Sequence, residues 1–362
     1  MTITTRVFPR LEDEPVNLLP GPVAIHPEVR AAFNAAPISH RADRYVADVQ
    51  DTKQMLCALV GARYVELLVG SGTLANDAIA AQLSLLPGRG LILSNGEFGD
   101  RLVDQATRTR LPFEVIRAEW GACFDYEQVG QYLAAHPDTR WLWYVLCETS
   151  TSVLNDEARL AQISQAHGLA LCVDAISAIG TVPVDLSQVY LASGVSGKGL
   201  ASYPGLALVF YNHPIEPQPE ALPRYMDLGY YARNEGVPFT SPSNLLYALH
   251  TSLKRLDPEQ RFTGLQRLAA WLQTELQALG FSMVAPAEHS SPAVITLALP
   301  PSINSRWLGD QLEVAGYLLS YKSGYLLARN WIQICLMGAC AQETITPLLE
   351  LLSDLTNEKA RA

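Results

Sequence analysis

Short apolar runs alternate with stretches of helical periodicity over the first two-thirds of the chain. The runs VELLV, GLILS, FEVIRA, WLWYVLCET, LALCVDA and GLALVFYN predict buried strands. Between them, YVADVQDTKQMLCALVG and DEARLAQISQAHG carry apolar residues at the helical period. This alternation predicts an α/β domain in which a mostly parallel sheet is covered by helices on both faces.

The pattern restarts after a proline-rich stretch, NHPIEPQPEALP, which predicts a surface loop over residues 212–223. Beyond about Asp257 a long helix, RFTGLQRLAAWLQTELQALG, ends at Gly280, a residue suited to a helix C-terminus. Short strands then flank the helix SRWLGDQLEVAG, and a last helix covers much of ETITPLLELLSDLTNEKA. We therefore predict an N-terminal segment plus large domain over residues 1–256, and a smaller C-terminal α/β domain over residues 257–362.

Composition excludes several classes of function. The chain has 362 residues, of which 49% are hydrophobic and 17% charged, so it can form a sizeable core. Its net charge of −10 argues against a nucleic-acid surface. No apolar run approaches the roughly 18 residues that cross a bilayer. The stretch MTITTRVFPRLEDEP also lacks the apolar core of a signal peptide. We therefore expect a cytoplasmic protein.

The cysteines point the same way. They are scattered, mostly inside apolar runs, at Cys57, Cys123, Cys147, Cys172, Cys335 and Cys340. No C-x-x-C pair or Cys/His cluster indicates zinc or another metal. Reduced, buried thiols are what this pattern predicts for a cytoplasmic protein.

A glycine-rich turn in VELLVGSGTLANDAIAAQL predicts an anion site. The turn, Gly70 to Thr73, lies between a strand and a helix that is predicted to begin near Leu74. It offers unpaired backbone N–H groups and the positive end of a helix dipole. Gly70, Gly72 and Ala75 also match the dinucleotide fingerprint G-x-G-x-x-G/A. A dinucleotide, a nucleoside triphosphate and pyridoxal phosphate are therefore the candidate ligands.

The first two candidates lack essential residues. A nicotinamide site needs an acid about 20 positions after the glycines, at the end of the next strand. That strand ends at Ser94 and Asn95, and Glu97 lies slightly further on. A triphosphate loop could be sought in SGVSGKGL, but only two residues separate Gly194 from Gly197, and a glycine follows the lysine. The triphosphate interpretation fails, and the dinucleotide interpretation has only Glu97 to support it.

Pyridoxal phosphate needs a lysine that forms an imine with its aldehyde and a carboxylate that pairs with its ring nitrogen. LALCVDAISAIG predicts a buried strand that ends at Asp174, and Lys198 lies 24 residues later in SGVSGKGLASYPG. Small residues around this lysine would let a bulky ring approach. Taken singly, Asp174 could be a turn or N-cap residue and Lys198 a solvated lysine. Together with the glycine turn they favour pyridoxal phosphate.

These stretches resemble the class V aminotransferases of the fold-type I pyridoxal-phosphate enzymes. The matching segments are LLPGPVAIHPEVRAAF, ISHR, GSGTLAND, NGEFGDR, CETSTSVLND, VDAISAIGTVPVDL, SGVSGKGL followed by YPGLALVFY, and TSPSNLLYAL. They occur in the family's order and span roughly residues 17–340. Within that family the chain resembles the alanine–glyoxylate and serine–pyruvate aminotransferases, with aminoethylphosphonate–pyruvate transaminase nearby.

The resemblance implies pyridoxal 5'-phosphate as the cofactor and assigns it a set of residues. Lys198 would form the Schiff base and later move the substrate proton, and Asp174 would pair with the ring nitrogen. The other cofactor-binding positions would be Ser71, Gly72 and Thr73 on the phosphate, Phe98 and Ile176 on the two ring faces, Thr149 near the phenolic oxygen, Ser196, and Thr240 on the phosphate of a neighbouring subunit. Core packing for Phe98, a strand-end hydroxyl for Thr149 and a local cap for Thr240 remain alternatives.

The chain also departs from the family pattern. Gly197 stands where these enzymes often carry a phosphate-binding glutamine, and Val237 stands where a tyrosine usually crosses the dimer interface. The C-terminal pattern F-R-I-G-x-M-G is replaced by WIQICLMG, which puts Gln333 in place of the arginine that grips the substrate's α-carboxylate. A neutral amide cannot reproduce that bidentate charged pair.

Three explanations for Gln333 remain open. The substrate could lack an α-carboxylate in the usual pose. Another cation, Arg329, Arg41 or Arg101, could have taken over the role. The chain could instead have drifted from amino-acid catalysis toward a binding part. Gly21, in the Pro-Gly-Pro segment that resembles the family's site entrance, completes the candidate substrate-binding residues.

The sequence therefore predicts a homodimeric, cytoplasmic aminotransferase with sites shared between subunits. It would move an amino group from an amine or amino acid to a 2-oxo acid or aldehyde. A lyase, decarboxylase or substitution enzyme on the same fold is the main alternative, and a non-catalytic ligand-binding dimer is another.

Overall fold

The computed structural model describes residues 15–361, with side chains up to residue 356. The signal-peptide argument concerned residues 1–15, and all but the last of these lie outside the described part. The strands are β1 (Val16–Asn17), β2 (Tyr64–Gly70), β3 (Arg89–Ser94), β4 (Phe113–Arg117), β5 (Thr139–Val145), β6 (Cys147–Glu148), β7 (Val153–Leu154), β8 (Ala170–Asp174), β9 (Leu191–Val195), β10 (Gly205–Tyr211), β11 (Ser282–Met283), β12 (Val294–Ala298), β13 (Tyr317–Leu318) and β14 (Trp331–Cys335).

Helices connect most of these strands. They are α1 (Pro27–Phe33), α2 (Asp43–Val60), α3 (Gly72–Leu83), α4 (Glu97–Arg108), α5 (Tyr126–Ala135), α6 (Glu157–Ala166), α7 (Leu228–Arg233), α8 (Ser243–Arg255), α9 (Pro258–Ala278), α10 (Ser305–Val314), α11 (Gly324–Arg329) and α12 (Gln342–Arg361), with a 3₁₀ turn at Ala287–His289. No helix among the described residues is long and apolar enough to cross a membrane.

The main sheet has seven strands in the order β2-β10-β9-β8-β5-β3-β4. All pairs from β9 to β4 are parallel, and β10 runs antiparallel to both of its neighbours. Crossover helices join two of the parallel pairs, with α4 between β3 and β4 and α6 between β5 and β8, as the alternating sequence pattern predicts, whereas no helix separates β8 from β9. The predicted α/β architecture with a mostly parallel sheet is confirmed.

Helices cover both faces of this sheet. Along β5, Leu142 and Tyr144 pack into the core on one face, whereas Trp141 and Trp143 pack into the core on the other. All four side chains are buried. Because successive side chains of a strand point to opposite faces, a strand buried on both sides reads as the continuous apolar run that the sequence shows.

Two details differ from the predicted strands. WLWYVLCET is split between β5 and β6, because the chain leaves the main sheet after Val145. The strand β9, LASGV, was not predicted, since small residues and a glycine give no strand signal. It lies beside β8 and thus completes the part of the sheet that carries Asp174.

A second core lies in the C-terminal part of the chain. There β11, β12 and β14 form an antiparallel sheet, and Leu272 of α9 packs with Ile295 and Ile334 from its strands. The predicted boundary at residue 256 falls between α8 and α9. The N-terminal segment also joins this core, because β1 pairs with β13 and Leu18 is buried there.

Candidate active site

A cavity of about 530 Å³ opens where β8 and neighbouring strands end. Ligands of open α/β sheets gather at the carboxyl ends of the strands. The small domain contributes Ser320, Ser323 and Tyr325 to its wall. Of the residues predicted from the sequence, those that line the cavity are Gly21, Ser71, Gly72, Thr73, Phe98, Arg101, Thr149, Asp174, Ile176 and Lys198; those that do not are Arg41, Ser196, Thr240, Arg329 and Gln333.

Asp174, the last residue of β8, presents a buried carboxylate to this cavity. One oxygen accepts a hydrogen bond from Asn76 Nδ2 at 2.7 Å, and the other accepts one from the Ile176 amide at 3.0 Å. Burial raises the pKa of Asp174, although these hydrogen bonds and the charge of Lys198 act to lower it. A protonated ring nitrogen would be a cationic partner that stabilises the charged form of this buried carboxylate. The residue therefore fits the expected cofactor.

Lys198 carries its amine into the same cavity. Its Nζ donates a hydrogen bond to Ser177 Oγ at 2.9 Å and lies 5.3 Å from the centroid of the Phe98 ring. Desolvation lowers the pKa of Lys198, against the opposing effect of Asp174. A lowered pKa favours the neutral amine, which is the form that attacks an aldehyde.

The loop around the lysine explains one departure from the family pattern. A Cβ on Gly197 would lie 2.7 Å from the Cα of Pro204, closer than unbonded carbon atoms approach. Because the contact is to backbone, no side-chain rotation relieves it. A glutamine at this position therefore requires a different path for the chain near Pro204.

The glycine-rich turn forms the start of α3. Ser71 is the N-cap residue and makes no side-chain capping bond, and the helix begins at Gly72 rather than near Leu74. The first N–H groups of a helix have no partner within it. Ser71, Gly72 and Thr73 all line the cavity. The turn can therefore hold an anionic group such as a phosphate.

Two polar residues at the cavity were missed by sequence reasoning. Ser177 Oγ lies 2.5 Å from Thr149 Oγ1 and accepts from the Lys198 amine. Asn76 binds Asp174, and its own Oδ1 has no partner among the described residues. Asn76 lies about one helical turn after Thr73, and Ser177 lies three residues after Asp174. This closeness to predicted site residues was the sequence signal that could have identified them.

Gln333 does not line the cavity but lies fully buried beside it. Its amide nitrogen donates to Thr149 O at 2.6 Å, to Ser150 O at 3.3 Å and to Thr296 Oγ1 at 2.9 Å. Its Oε1 lies 3.5 Å from the hydroxyl of Tyr325. The amide thus ties a strand of the small domain to the loop that carries Thr149.

The three arginines proposed as replacements lie in different places. Arg101 lines the cavity, with its guanidinium 4.8 Å from the Phe98 centroid and an ion pair to Glu97 at 3.0 Å. Arg329 is exposed and stacks on Trp120 at 3.4 Å from the ring centroid. Arg41 is also exposed. Among the described residues, Arg101 is the only arginine that lines the cavity.

Ser196 and Thr240 lie outside the cavity of their own chain. Ser196 is buried beneath the lysine loop, where its hydroxyl donates to Tyr203 O at 2.7 Å and accepts from the Leu206 amide at 3.2 Å. Thr240 is exposed. Val237, which replaces the expected tyrosine, packs against a small cluster that includes Tyr45.

Comparison with known proteins gives a consistent result. A family model described as aminotransferase class-V matches residues 28–217. The soluble hydrogenase 42 kDa subunit of Anabaena cylindrica is 33% identical over 80% of this chain and 80% of its own length. The 2-aminoethylphosphonate–pyruvate transaminase of Pseudomonas aeruginosa is 30% identical over 80% of this chain and 82% of its own. Alanine–glyoxylate aminotransferase from Nostoc sp. superposes with a TM-score of 0.85 at 26% identity, covering 96% of this chain and 97% of that one.

Proposed function

Because the chain belongs to the class-V aminotransferases, a family of pyridoxal-phosphate enzymes, we propose that the cavity around Lys198 is where it transfers amino groups. The donor would be an amine or amino acid, and the acceptor a 2-oxo acid or aldehyde. One observation carries the proposal. The Lys198 amine, the Asp174 carboxylate and the start of α3 line a single cavity.

Each polar group of the cavity then receives a role. When bound, pyridoxal phosphate supplies an aldehyde and an electron-accepting ring. Lys198 would hold the aldehyde, and Asp174 would keep the ring nitrogen protonated. The remaining assignments are the turn Ser71, Gly72 and Thr73 for the phosphate, Phe98 and Ile176 for the two ring faces, and Thr149 for the phenolic oxygen. Ser196 would support the lysine loop from below.

Lys198 would also move the substrate proton. Its desolvated amine has a lowered pKa, which brings it closer to the range where a general base works at neutral pH. Ser177 Oγ accepts a hydrogen bond from this amine. That contact would keep the amine close to the reacting carbon after the substrate has replaced it.

The wall from the small domain supports an atypical substrate. Gln333 points its amide at backbone carbonyls, while the uncharged residues Ser320, Ser323 and Tyr325 line the cavity. We propose that at least one substrate is not an α-amino acid gripped by an arginine of this domain. The P. aeruginosa relative is named for a donor, 2-aminoethylphosphonate, that has no α-carboxylate. For an anionic substrate, Arg101 would be the cation within the cavity.

Two measurements test the reaction. Borohydride reduction followed by peptide mass spectrometry should place the cofactor on Lys198, and cofactor found on another side chain would overturn the assignment. The holoenzyme given an amino donor alone should accumulate pyridoxamine phosphate. A lyase or decarboxylase would release product without that accumulation, and a purified protein without cofactor absorbance near 400–430 nm would favour a binding role.

We further propose a cytoplasmic homodimer whose sites are shared. Val69, near the end of β2 beside the phosphate turn, is 43% exposed in the single chain, and the second subunit would cover it. Thr240 would reach the phosphate in the partner's cavity. Sedimentation should give twice the mass of the chain, and mixing Lys198→Ala with Thr240→Ala protein should restore activity above either variant alone. A monomer with full activity would contradict this proposal.

A further inference from the structure

Helix α4 begins without a cap of its own. Its N-cap residue is Gly96, which has no side chain to accept hydrogen bonds. A loop about 50 residues further along the chain nevertheless binds the first three amides of the helix. Glu97 N donates to Ser150 Oγ at 3.0 Å, Phe98 N donates to Glu148 Oε1 at 3.3 Å, and Gly99 N donates to Glu148 Oε2 at 2.9 Å.

The carboxylate that makes this cap is fully buried. Glu148 has no exposed surface, and every hydrogen bond that the structure gives it comes from an uncharged group, including the amide and hydroxyl of Ser150. Two of these donors, the Phe98 and Gly99 amides, belong to the first turn of α4, so the carboxylate also lies at the positive end of the helix dipole. Gly96 is required by this packing, because a Cβ there would lie 2.5 Å from Glu148 Cδ.

The same loop connects the cap to the cavity. Thr149, between the two capping residues, lines the cavity, and so does Phe98 in the first turn of α4. We infer that Glu148 is a positioning residue that fixes Phe98, and with it the stacking surface for the cofactor ring. This inference rests on the proposed cofactor role of Phe98.

The cap is sensitive to protonation. Protonation turns one of the two carboxylate oxygens into an O–H donor that accepts hydrogen bonds poorly, so one of the Phe98 and Gly99 amides is left without a good partner. Burial raises the pKa of Glu148 to about 7, against the lowering effect of its hydrogen bonds. The titratable groups that face it are Lys198, Tyr325 and Cys147. The grip on Phe98 therefore weakens as the pH falls through about 7.

Amide hydrogen exchange in the cofactor-free protein tests the cap directly. Glu148→Gln keeps the size of the side chain but removes one acceptor. The amides of Phe98 and Gly99 should then exchange on the order of tenfold faster. Glu157→Gln is the matched control, because burial also raises the pKa of Glu157 to about 7 while its contact goes to the Asp185 amide. Unchanged exchange at Phe98 and Gly99 in Glu148→Gln would overturn the inference.

A double-mutant cycle tests the link to the cofactor. Tryptophan quenching on titration with pyridoxal phosphate gives a dissociation constant for each apoprotein. Glu148→Gln should weaken binding roughly tenfold in the native background but have little effect in Phe98→Leu. Equal factors in both backgrounds would show that Glu148 acts elsewhere. If the native protein binds no cofactor, the proposed function fails, while the exchange result still decides whether the cap exists.

Discussion

The two walls of the cavity differ in kind. The wall from the large domain presents ionisable and anion-binding groups, among them Asp174, Lys198 and the start of α3. The wall from the small domain presents Ser320, Ser323 and Tyr325. Gln333, which occupies the position of the expected arginine, lies behind this wall and donates its amide to Thr149 O of the large domain. From this contrast we propose that the first wall holds the cofactor, and that the second wall, together with Arg101 of the first, contacts the substrate.

Removing the lysine should have the largest effect on the first wall. Lys198→Ala loses both the attachment point and the base, so amino transfer should fall by at least about 10³-fold. The rate is measured with a donor and an oxo-acid acceptor in coupled turnover. Lys254→Ala, which changes an exposed lysine on α8, should retain the native rate. A Lys198→Ala enzyme that kept more than a tenth of the activity would place the chemistry on another group.

The carboxylate proposed to pair with the ring nitrogen should show the next largest effect. Asp174→Asn keeps the shape but removes the negative charge opposite the ring nitrogen, so turnover should fall about 100-fold. Asp227→Asn is a fair control, since Asp227 is also buried but caps α7 outside the cavity. Turnover per folded molecule is the measurement. Equal losses in the two variants would mean that the effect comes from folding rather than from the cofactor.

Substitution of Gln333 tests whether its buried hydrogen bonds hold the small-domain wall against the large domain. Gln333→Leu leaves the carbonyls of Thr149 and Ser150 without their buried donor, which should lower the free energy of unfolding by about 2 kcal/mol. Urea denaturation measures that change. Gln82→Leu, which breaks a part-buried amide contact to Met226 O, should also lower the free energy of unfolding.

The two glutamine variants should differ in the substrate they prefer. Gln333 contacts Tyr325 and the Thr149 loop, so its loss should change the ratio of kcat/KM between amines and α-amino acids, whereas Gln82→Leu should leave that ratio unchanged. An unchanged ratio in both variants would show that the interface does not influence selection.

Much of the large-domain wall was predictable, because the sequence patterns that identify its residues are short and continuous. Asp174 ends a strongly apolar run, and small residues surround Lys198 in the sequence. Each residue can therefore be recognised from about ten neighbouring positions. The fold and the cofactor predicted from these stretches are confirmed by the sheet topology and by the family match. The individual roles of the residues remain proposals.

The second wall was less predictable, because its properties depend on contacts between distant segments. The sequence identified Gln333 as unusual but could not show that its amide binds carbonyls 184 and 183 residues away. Arg329 was a plausible carboxylate ligand until its stacking on Trp120 was known. The cap that Glu148 gives to α4 was missed for the same reason, since capping by a remote loop leaves no pattern near the helix.

Arg101 offers a way to sharpen the contrast between the walls. It is the guanidinium of the large-domain wall, so an anionic substrate should depend on it while a neutral amine should not. Arg101→Gln should raise KM for the anionic substrate about tenfold and change kcat little, because a binding contact rather than the reaction is lost. Arg63→Gln, at an exposed site, is the control. A KM that rises equally for neutral amines would assign Arg101 a structural role through Phe98.

The smallest effect should appear in the pH dependence of stability. Protonation of Glu148 should change the free energy of unfolding and the cofactor affinity in opposite directions. Because the folded pKa of about 7 lies above the ordinary value of 4.5, the contribution of Glu148 is fully present below about pH 4.5 and is lost as the pH rises through 7. The native free energy of unfolding should therefore drop by about 1 kcal/mol more between pH 6 and pH 7 than that of Glu148→Gln. Cofactor affinity should change in the opposite direction, increasing over the same interval as the ionised carboxylate tightens the α4 cap. This reasoning would be contradicted if the free energy of unfolding and the cofactor affinity of the native protein changed in the same direction between pH 6 and pH 7. The burial of Glu148 alone would then explain both changes.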